Sequence, residues 1–173
     1  LTQKRNLRIL AVDPVSQDRQ FTGYDYRVIS GGILVQHLDI SIDDPNLWQT
    51  ATDREPTEQE RLDLAFAWKA VKHIKSNAIV FVKGETLVGM GAGQPNRVVS
   101  VHLAQRIADS KAIGSVIASD AFFPFPDNIE LAQQAGITAI IQPGGSIRDD
   151  EVIAEANKNN MAMLFTGIRH FRH

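Results

Sequence analysis

Four short stretches of this 173-residue chain carry the side chains that could do chemistry. The first, Gly89-Met-Gly-Ala-Gly93-Gln-Pro-Asn-Arg97, reads as a turn between a strand and a helix. Glycines let a backbone approach a ligand closely, and a helix start favours an anion. The third glycine comes one position too early for a dinucleotide fingerprint, and no Gly-Lys-Ser/Thr follows as in a Walker loop. Arg97 puts a cation where the helix begins, and a tight packing turn is the alternative reading. The second stretch, Ser119 to Asn128, holds three Phe, two Pro and two Asp. Its rings could wall a flat heterocycle, with Asp127 bonding an amine or amide edge. The alternative is packing under a rigid proline turn, with Asp127 as a helix N-cap. The third, Pro143-Gly-Gly-Ser146, offers backbone N–H groups and a hydroxyl to a carboxylate or phosphate, or caps a helix. The fourth, Arg169-His-Phe-Arg-His173, is basic and aromatic, and Arg169 could meet a phosphate. The alternative there is a frayed terminus.

Other candidates read as structural. Asn77 sits at a helix–strand junction, and His73 falls on the apolar face of its helix. The five histidines lack metal-ligand spacing, and no His-Glu-x-x-His occurs. No Ser–His–acid triad can be assigned from chain order.

The elements that would position these residues follow from pattern. Asn6–Val12 reads as a strand ended by Asp13-Pro14, and Gly31-Gly32 opens a short strand at Ile33–Val35. Asp43–Pro56 is polar and reads as loop. Thr57-Glu-Gln-Glu60 is a capping box, opening a helix from about Glu58 to Ile74 whose apolar face is Leu62, Ala65, Phe66, Ala70 and His73. Asn77–Val82 and Thr86–Gly89 form a hairpin about Lys83-Gly-Glu85. Helices follow at Val98–Asp109, Asp127–Ala135 and from Ser146 to about Asn159, with Gly136 as a left-handed stop. Gly114–Ala118, Ile137–Ile141 and Met161–Phe165 read as strands. This alternation predicts an α/β fold with helices on both faces, in which ligands sit beyond the carboxyl ends of strands.

Composition narrows the function. With 18 basic and 20 acidic residues and a pI near 6.2, the chain lacks the basic excess of a nucleic-acid binder. Cysteine is absent, which excludes disulfides and thiolate metal sites and fits the cytoplasm. No apolar run reaches the ~18 residues of a membrane span, and the first residues do not form a signal peptide.

Five motifs carry a resemblance: Lys75-Ser-Asn-Ala-Ile79; Gly91-Ala-Gly-Gln94 with Arg97; Ser119-Asp-Ala-Phe-Phe-Pro-Phe125; Gln142-Pro-Gly-Gly-Ser-Ile-Arg-Asp-Asp-Glu151; and Arg169-His-Phe-Arg-His173. Together, in unbroken order, they resemble the carboxyl-terminal part of the bifunctional purine biosynthesis family. That family joins an aminoimidazolecarboxamide ribotide (AICAR) formyltransferase to an IMP cyclohydrolase. The resemblance implies a three-layer α/β/α, cytidine-deaminase-like subdomain with an N-terminal extension, spanning residues 1–173. It implies formyl transfer from 10-formyltetrahydrofolate, the co-substrate, to the ribotide amine in IMP synthesis. It implies a homodimer whose subunits share each active site. Asn77, Arg97, Phe122 and Arg169 match ribotide-binding positions, and Val98, Asp127, Ser146 and Ile147 match folate-binding positions. Zinc chemistry does not carry over, because the deaminase signature needs cysteines. A monovalent cation is not readable from these residues.

The family's catalytic Lys-His pair has no match here; Lys72-His73 falls at another place in the family order. The chain also starts with Leu1 rather than Met. These departures lead to the expectation of a portion of the formyltransferase, without the cyclohydrolase domain and inactive alone. The alternatives are a stand-alone nucleotide- or folate-binding protein and a dimerisation module.

Overall fold

The computed structural model describes residues 8, 23–40 and 43–172, and the chain divides into two units, Leu1–Ser41 and Ile42–His173. Apart from Arg8, the strand expected at Asn6–Val12 lies outside the described residues. The first unit holds an antiparallel hairpin, β1 (Tyr24–Ile29) and β2 (Gly32–His37), turning at Ser30-Gly31 with Gly31 at φ +83°. β2 starts where the Gly-Gly pair predicts it. β1 was not anticipated.

The second unit is an α/β fold built on one mixed six-stranded sheet of order β3-β8-β7-β6-β4-β5. Its strands are β3 (Gln49–Thr50), β4 (Ile79–Val82), β5 (Leu87–Gly91), β6 (Val116–Ser119), β7 (Ala139–Gln142) and β8 (Ala162–Phe165). β6, β7 and β8 run parallel; β4 runs antiparallel to β5 and β6, and β3 to β8. The helices are α1 (Glu58–Val71), α2 (Arg97–Ala108), α3 (Asp127–Gln134) and α4 (Asp149–Lys158). Among the described residues no helix is long and apolar enough to cross a membrane.

The central strands are buried on both faces, so they are continuous apolar runs rather than alternating ones. Period-two geometry still sorts their side chains. Val80, Val82, Val116, Ala118, Ala139, Ile141 and Leu164 pack with Leu64, Ala67, Trp68 and Val71 of α1. Ile79, Phe81, Ile117, Ile140 and Met163 pack with residues of α2, α3 and α4. The sheet is therefore the middle of three layers.

The face of α1 that meets the sheet is not the one the spacing predicts. Leu64, Ala67, Trp68 and Val71 are buried, whereas Leu62 and Phe66 are exposed. The helix carries two apolar stripes, and contacts outside it choose between them. Trp68 offers the largest area to bury. Asp63 accepts the backbone N–H groups of Gly84 and Glu85 in the β4–β5 turn at 3.0 and 2.7 Å, which fixes the roll of the helix. His73 lies in the turn after α1, exposed rather than in the core. The capping box is present as predicted, with Thr57 and Glu60 each accepting the other's backbone N–H.

Two glycines in β5 let α2 lie directly on the strand. A Cβ at Gly91 would overlap the Ser100 carbonyl oxygen, and one at Gly89 that of Ala104. Their smallness serves packing rather than a ligand. Gly93, at φ +66° in the following loop, provides the turn itself.

Candidate functional site

The carboxyl ends of β5, β6, β7 and β8 lie on one edge of the sheet, and the amino end of β4 joins them because Ile79 pairs with both Gly91 and Ser119. Four of the singled-out stretches leave from this edge, and Asn77 enters it just before β4.

Asn77 and Arg97 come together there. Arg97 Nη2 donates to Asn77 Oδ1 at 3.1 Å, and Asn77 Nδ2 donates to the Gln94 carbonyl at 2.9 Å. The Ser100 hydroxyl donates to the Asn77 carbonyl at 2.8 Å, tying α2 to the start of β4. Arg97 is the first residue of α2 and is only 7% exposed. The helix start is capped internally, since Asn96 Oδ1 accepts the Val99 N–H.

The charge of Arg97 is met by Asp120, the residue after β6. Arg97 Nη1 donates to Asp120 Oδ1 at 2.6 Å. Asp120 is fully buried, and its Oδ2 has no hydrogen-bond partner among the described residues. Burial lowers the Arg97 pKa from its ordinary value, and the charge and hydrogen bond of Asp120 oppose that. The nearby charge of Arg169 adds to the lowering. Two guanidinium groups thus lie close enough to feel each other.

Arg169 is held by rings. Its guanidinium carbon lies 5.1 Å from the Phe122 ring centroid and 4.9 Å from that of Phe171, within cation–π range. The tail that carries it is anchored, not frayed. The N–H of His170 donates to the Asp120 carbonyl at 3.0 Å. Ser76 N–H donates to the Arg172 carbonyl at 2.8 Å, and Arg172 N–H to the Ser76 hydroxyl at 3.1 Å. His170 is the buried histidine of this region: its ring packs on Trp68, centroids 4.7 Å apart, with Nε2 3.2 Å from Asp43 Oδ2.

The three phenylalanines after β6 have separate duties. Phe123 is fully buried, and its N–H donates to Gln142 Oε1 at 2.6 Å. Phe122 faces Arg169. Phe125 is exposed and lies under the Arg148 guanidinium at 4.9 Å, joining the loops after β6 and β7.

The remaining four residues share this edge. Val98, half-buried, follows Arg97 in α2. Asp127 is exposed at the start of α3; it is not the N-cap, a place taken by Pro126, and its Oδ1 accepts from Asn128 Nδ2. Ser146 does not cap α4 either. Its Oγ accepts the N–H of Arg148, which holds the N-cap position. Asp149 Oδ2 takes the N–H groups of Gly145 and Ser146 at 2.6 and 3.1 Å, so a carboxylate of the chain itself occupies the nest foreseen for an outside anion. Ile147 is fully exposed.

The structure therefore joins Asn77 to Arg97 and Phe122 to Arg169 by direct contact, with Asp120 bonded to Arg97 through its side chain and to the His170 N–H through its carbonyl. Sequence reasoning passed over Asp120, Gln142 and Phe171. The position of Asp120 directly after a strand was the signal for it. Among the described residues no group of three or more His, Asp or Glu could hold a metal ion.

Comparisons with known proteins point one way. The family model described as the AICARFT/IMPCHase bienzyme matches residues 1–107. The chain is similar to the bifunctional purine biosynthesis protein PurH of Streptococcus agalactiae serotype III (strain NEM316), at 52% identity over 171 residues. It is equally similar, at 52%, to PurH of Streptococcus pyogenes serotype M3 (strain ATCC BAA-595 / MGAS315). These alignments cover 99% of this chain and 33% of each relative, so the chain spans about a third of their length.

Proposed function

The chain belongs to the AICARFT/IMPCHase bienzyme family, and from that premise we propose that it supplies the ribotide and folate half of a formyltransferase site acting in purine biosynthesis. The observation that carries this reading is the convergence of Asn77, Arg97, Phe122 and Arg169 on one sheet edge, with the Asp120 carboxylate paired to Arg97 and the charge of Arg169 close enough to act on Arg97. Such a cluster suits a phosphorylated ligand, and Arg169 is the exposed cation that would meet its phosphate. The loops carrying Asp127, Ser146 and Ile147, with Val98 beside Arg97, would hold the flat pterin of 10-formyltetrahydrofolate, where Asp127 can accept from its amino edge.

In the transfer, the ribotide amine attacks the formyl carbon and a tetrahedral oxyanion forms. The C–N bond to the folate N10 then breaks; N10 takes a proton and the former amine loses one. The amine is conjugated and weakly nucleophilic, so the step needs a base and a donor to the oxyanion. Arg97 would supply charge and position. None of the residues gathered here is assigned as the base, and on that ground we place the missing catalytic groups outside this chain. In the whole protein two subunits would share the site, in the cytoplasm, with the cyclohydrolase activity carried by another part.

Calorimetric titration with AICAR ribotide, followed by a formyl-transfer assay with 10-formyltetrahydrofolate, tests this. Saturable binding without turnover above the uncatalysed blank is expected. Turnover would put the chemistry in this chain, and absence of any binding would overturn the reading.

A further inference from the structure

We propose that Asp120 is the positioning residue for Arg97, fixing the direction in which its guanidinium is presented to the ribotide; this deepens the formyltransferase reading and rests on it. The geometry is a two-point clamp. Arg97 gives Nη1 to Asp120 at 2.6 Å and Nη2 to Asn77 at 3.1 Å, so the planar group cannot turn without breaking one of the two bonds. Arg97 is 7% exposed and Asp120 fully buried, so each charge depends on the other to be tolerated there. The positive charge of Arg169 opposes that of Arg97. Without the carboxylate, a buried guanidinium beside a second one would leave for solvent.

Asp120 is itself rigidly placed, which is what a positioning residue needs. Its N–H donates to the Ala78 carbonyl at 3.3 Å, and its carbonyl accepts from His170 N–H at 3.0 Å. Its backbone therefore ties the strand entry that carries Asn77 to the tail that carries Arg169, while its side chain holds Arg97. One residue sets three of the four ribotide contacts in a common frame.

The test is a double-mutant cycle on ribotide affinity with Asp120→Asn, Arg97→Ala and both together. If Asp120 acts through Arg97, D120N weakens binding at least tenfold in the native background and has little effect once Arg97 is already Ala. An equal loss in both backgrounds would show a general structural role and overturn the proposal. The second measurement needs no variant beyond an assignment with Arg97→Lys. In 15N spectra of the wild-type chain, the clamped Arg97 should show distinct Nη1 and Nη2 proton signals from hindered rotation; one averaged signal would also overturn it. Failure of the wild-type chain to bind ribotide strikes the formyltransferase reading instead, and the Arg97 spectrum then decides the clamp by itself.

Discussion

Replacing Glu60 by Gln should flatten the acid limb of this protein's stability curve. The Glu60 carboxylate receives both Nη groups of Arg54 at 2.8 and 3.0 Å and the Thr57 N–H at 2.7 Å. Burial, the largest single influence, pushes its pKa up. The hydrogen bonds from Arg54, Thr57 and Thr138, with the Arg54 charge, outweigh that and bring it from 4.5 down to about 2. The side chain is only 13% exposed, so solvent screening removes little of the effect. A carboxyl that ionises this much more readily folded than unfolded adds about 3 kcal/mol at neutral pH. The contribution is complete above the unfolded pKa and is lost as pH falls through the folded one, so about 2 kcal/mol should be gone by pH 3. Urea denaturation of the native chain and of E60Q at pH 7 and pH 3 reads this directly, since other acids titrate in both proteins and cancel. The stability gap between them should shrink by about 2 kcal/mol over that range. Parallel pH dependences would refute the reasoning. Arg54 also donates to the Thr138 and Asn160 carbonyls before β7 and β8, at the amino edge of the sheet. Ribotide affinity at pH 7 should therefore not change in E60Q.

Arg169→Ala should weaken ribotide binding by about 1.5–3 kcal/mol, roughly ten- to a hundredfold, the range for a hydrogen bond to a charged group; calorimetry reads it, and unchanged affinity would remove the phosphate role. Gly91→Ala should lower both thermal stability and ribotide affinity, because the new Cβ overlaps a backbone carbonyl of α2 and displaces the helix that carries Arg97; a melting temperature equal to the native one would contradict the packing account. Phe123→Ala should cost about 3–5 kcal/mol as a buried aromatic, while Phe125→Ala, at 47% exposure, should cost under about 1 kcal/mol in the same urea titration.

Elements with strong local signals were legible in the sequence. The Lys83-Gly84-Glu85 turn, the Thr57 capping box and the Gly136 stop, now seen at φ +82°, each act within a few residues. What depends on distant partners was not. β3 is two residues long and exists only because Gln49 and Thr50 pair with Phe165 and Leu164. The roll of α1 is fixed by a turn some twenty positions on, so spacing alone selected the wrong stripe. Arg97 and Arg169 stood out by their own chemistry, Asn77 and Phe122 gained a role only through the family match, and the structure joins Asn77 to Arg97 and Phe122 to Arg169. Asp120 was overlooked because its partner lies in another element, and its place directly after β6 is the one local sign of it. The glycines near residue 90 were read as one feature, yet they serve two purposes that only the position of α2 separates.

The tail that completes the site is held by a run of backbone hydrogen bonds as well as by the buried His170 ring. Thr166 and Gly167 N–H groups donate to the Gln142 and Pro143 carbonyls, His170 N–H to that of Asp120, and Arg172 exchanges two bonds with Ser76. Backbone atoms are common to all residues, so apart from Arg169 and His170 these bonds constrain the segment in length more than in identity. Substitutions at Ile168 or Arg172 leave the anchoring bonds available. Inserting or deleting one residue between Phe165 and Arg169 would shift every later bond and carry Arg169 off the Phe122 ring. Variation among such chains should accordingly be permissive at positions such as Ile168 and Arg172, restricted at Arg169 and His170, and intolerant of any change in spacing.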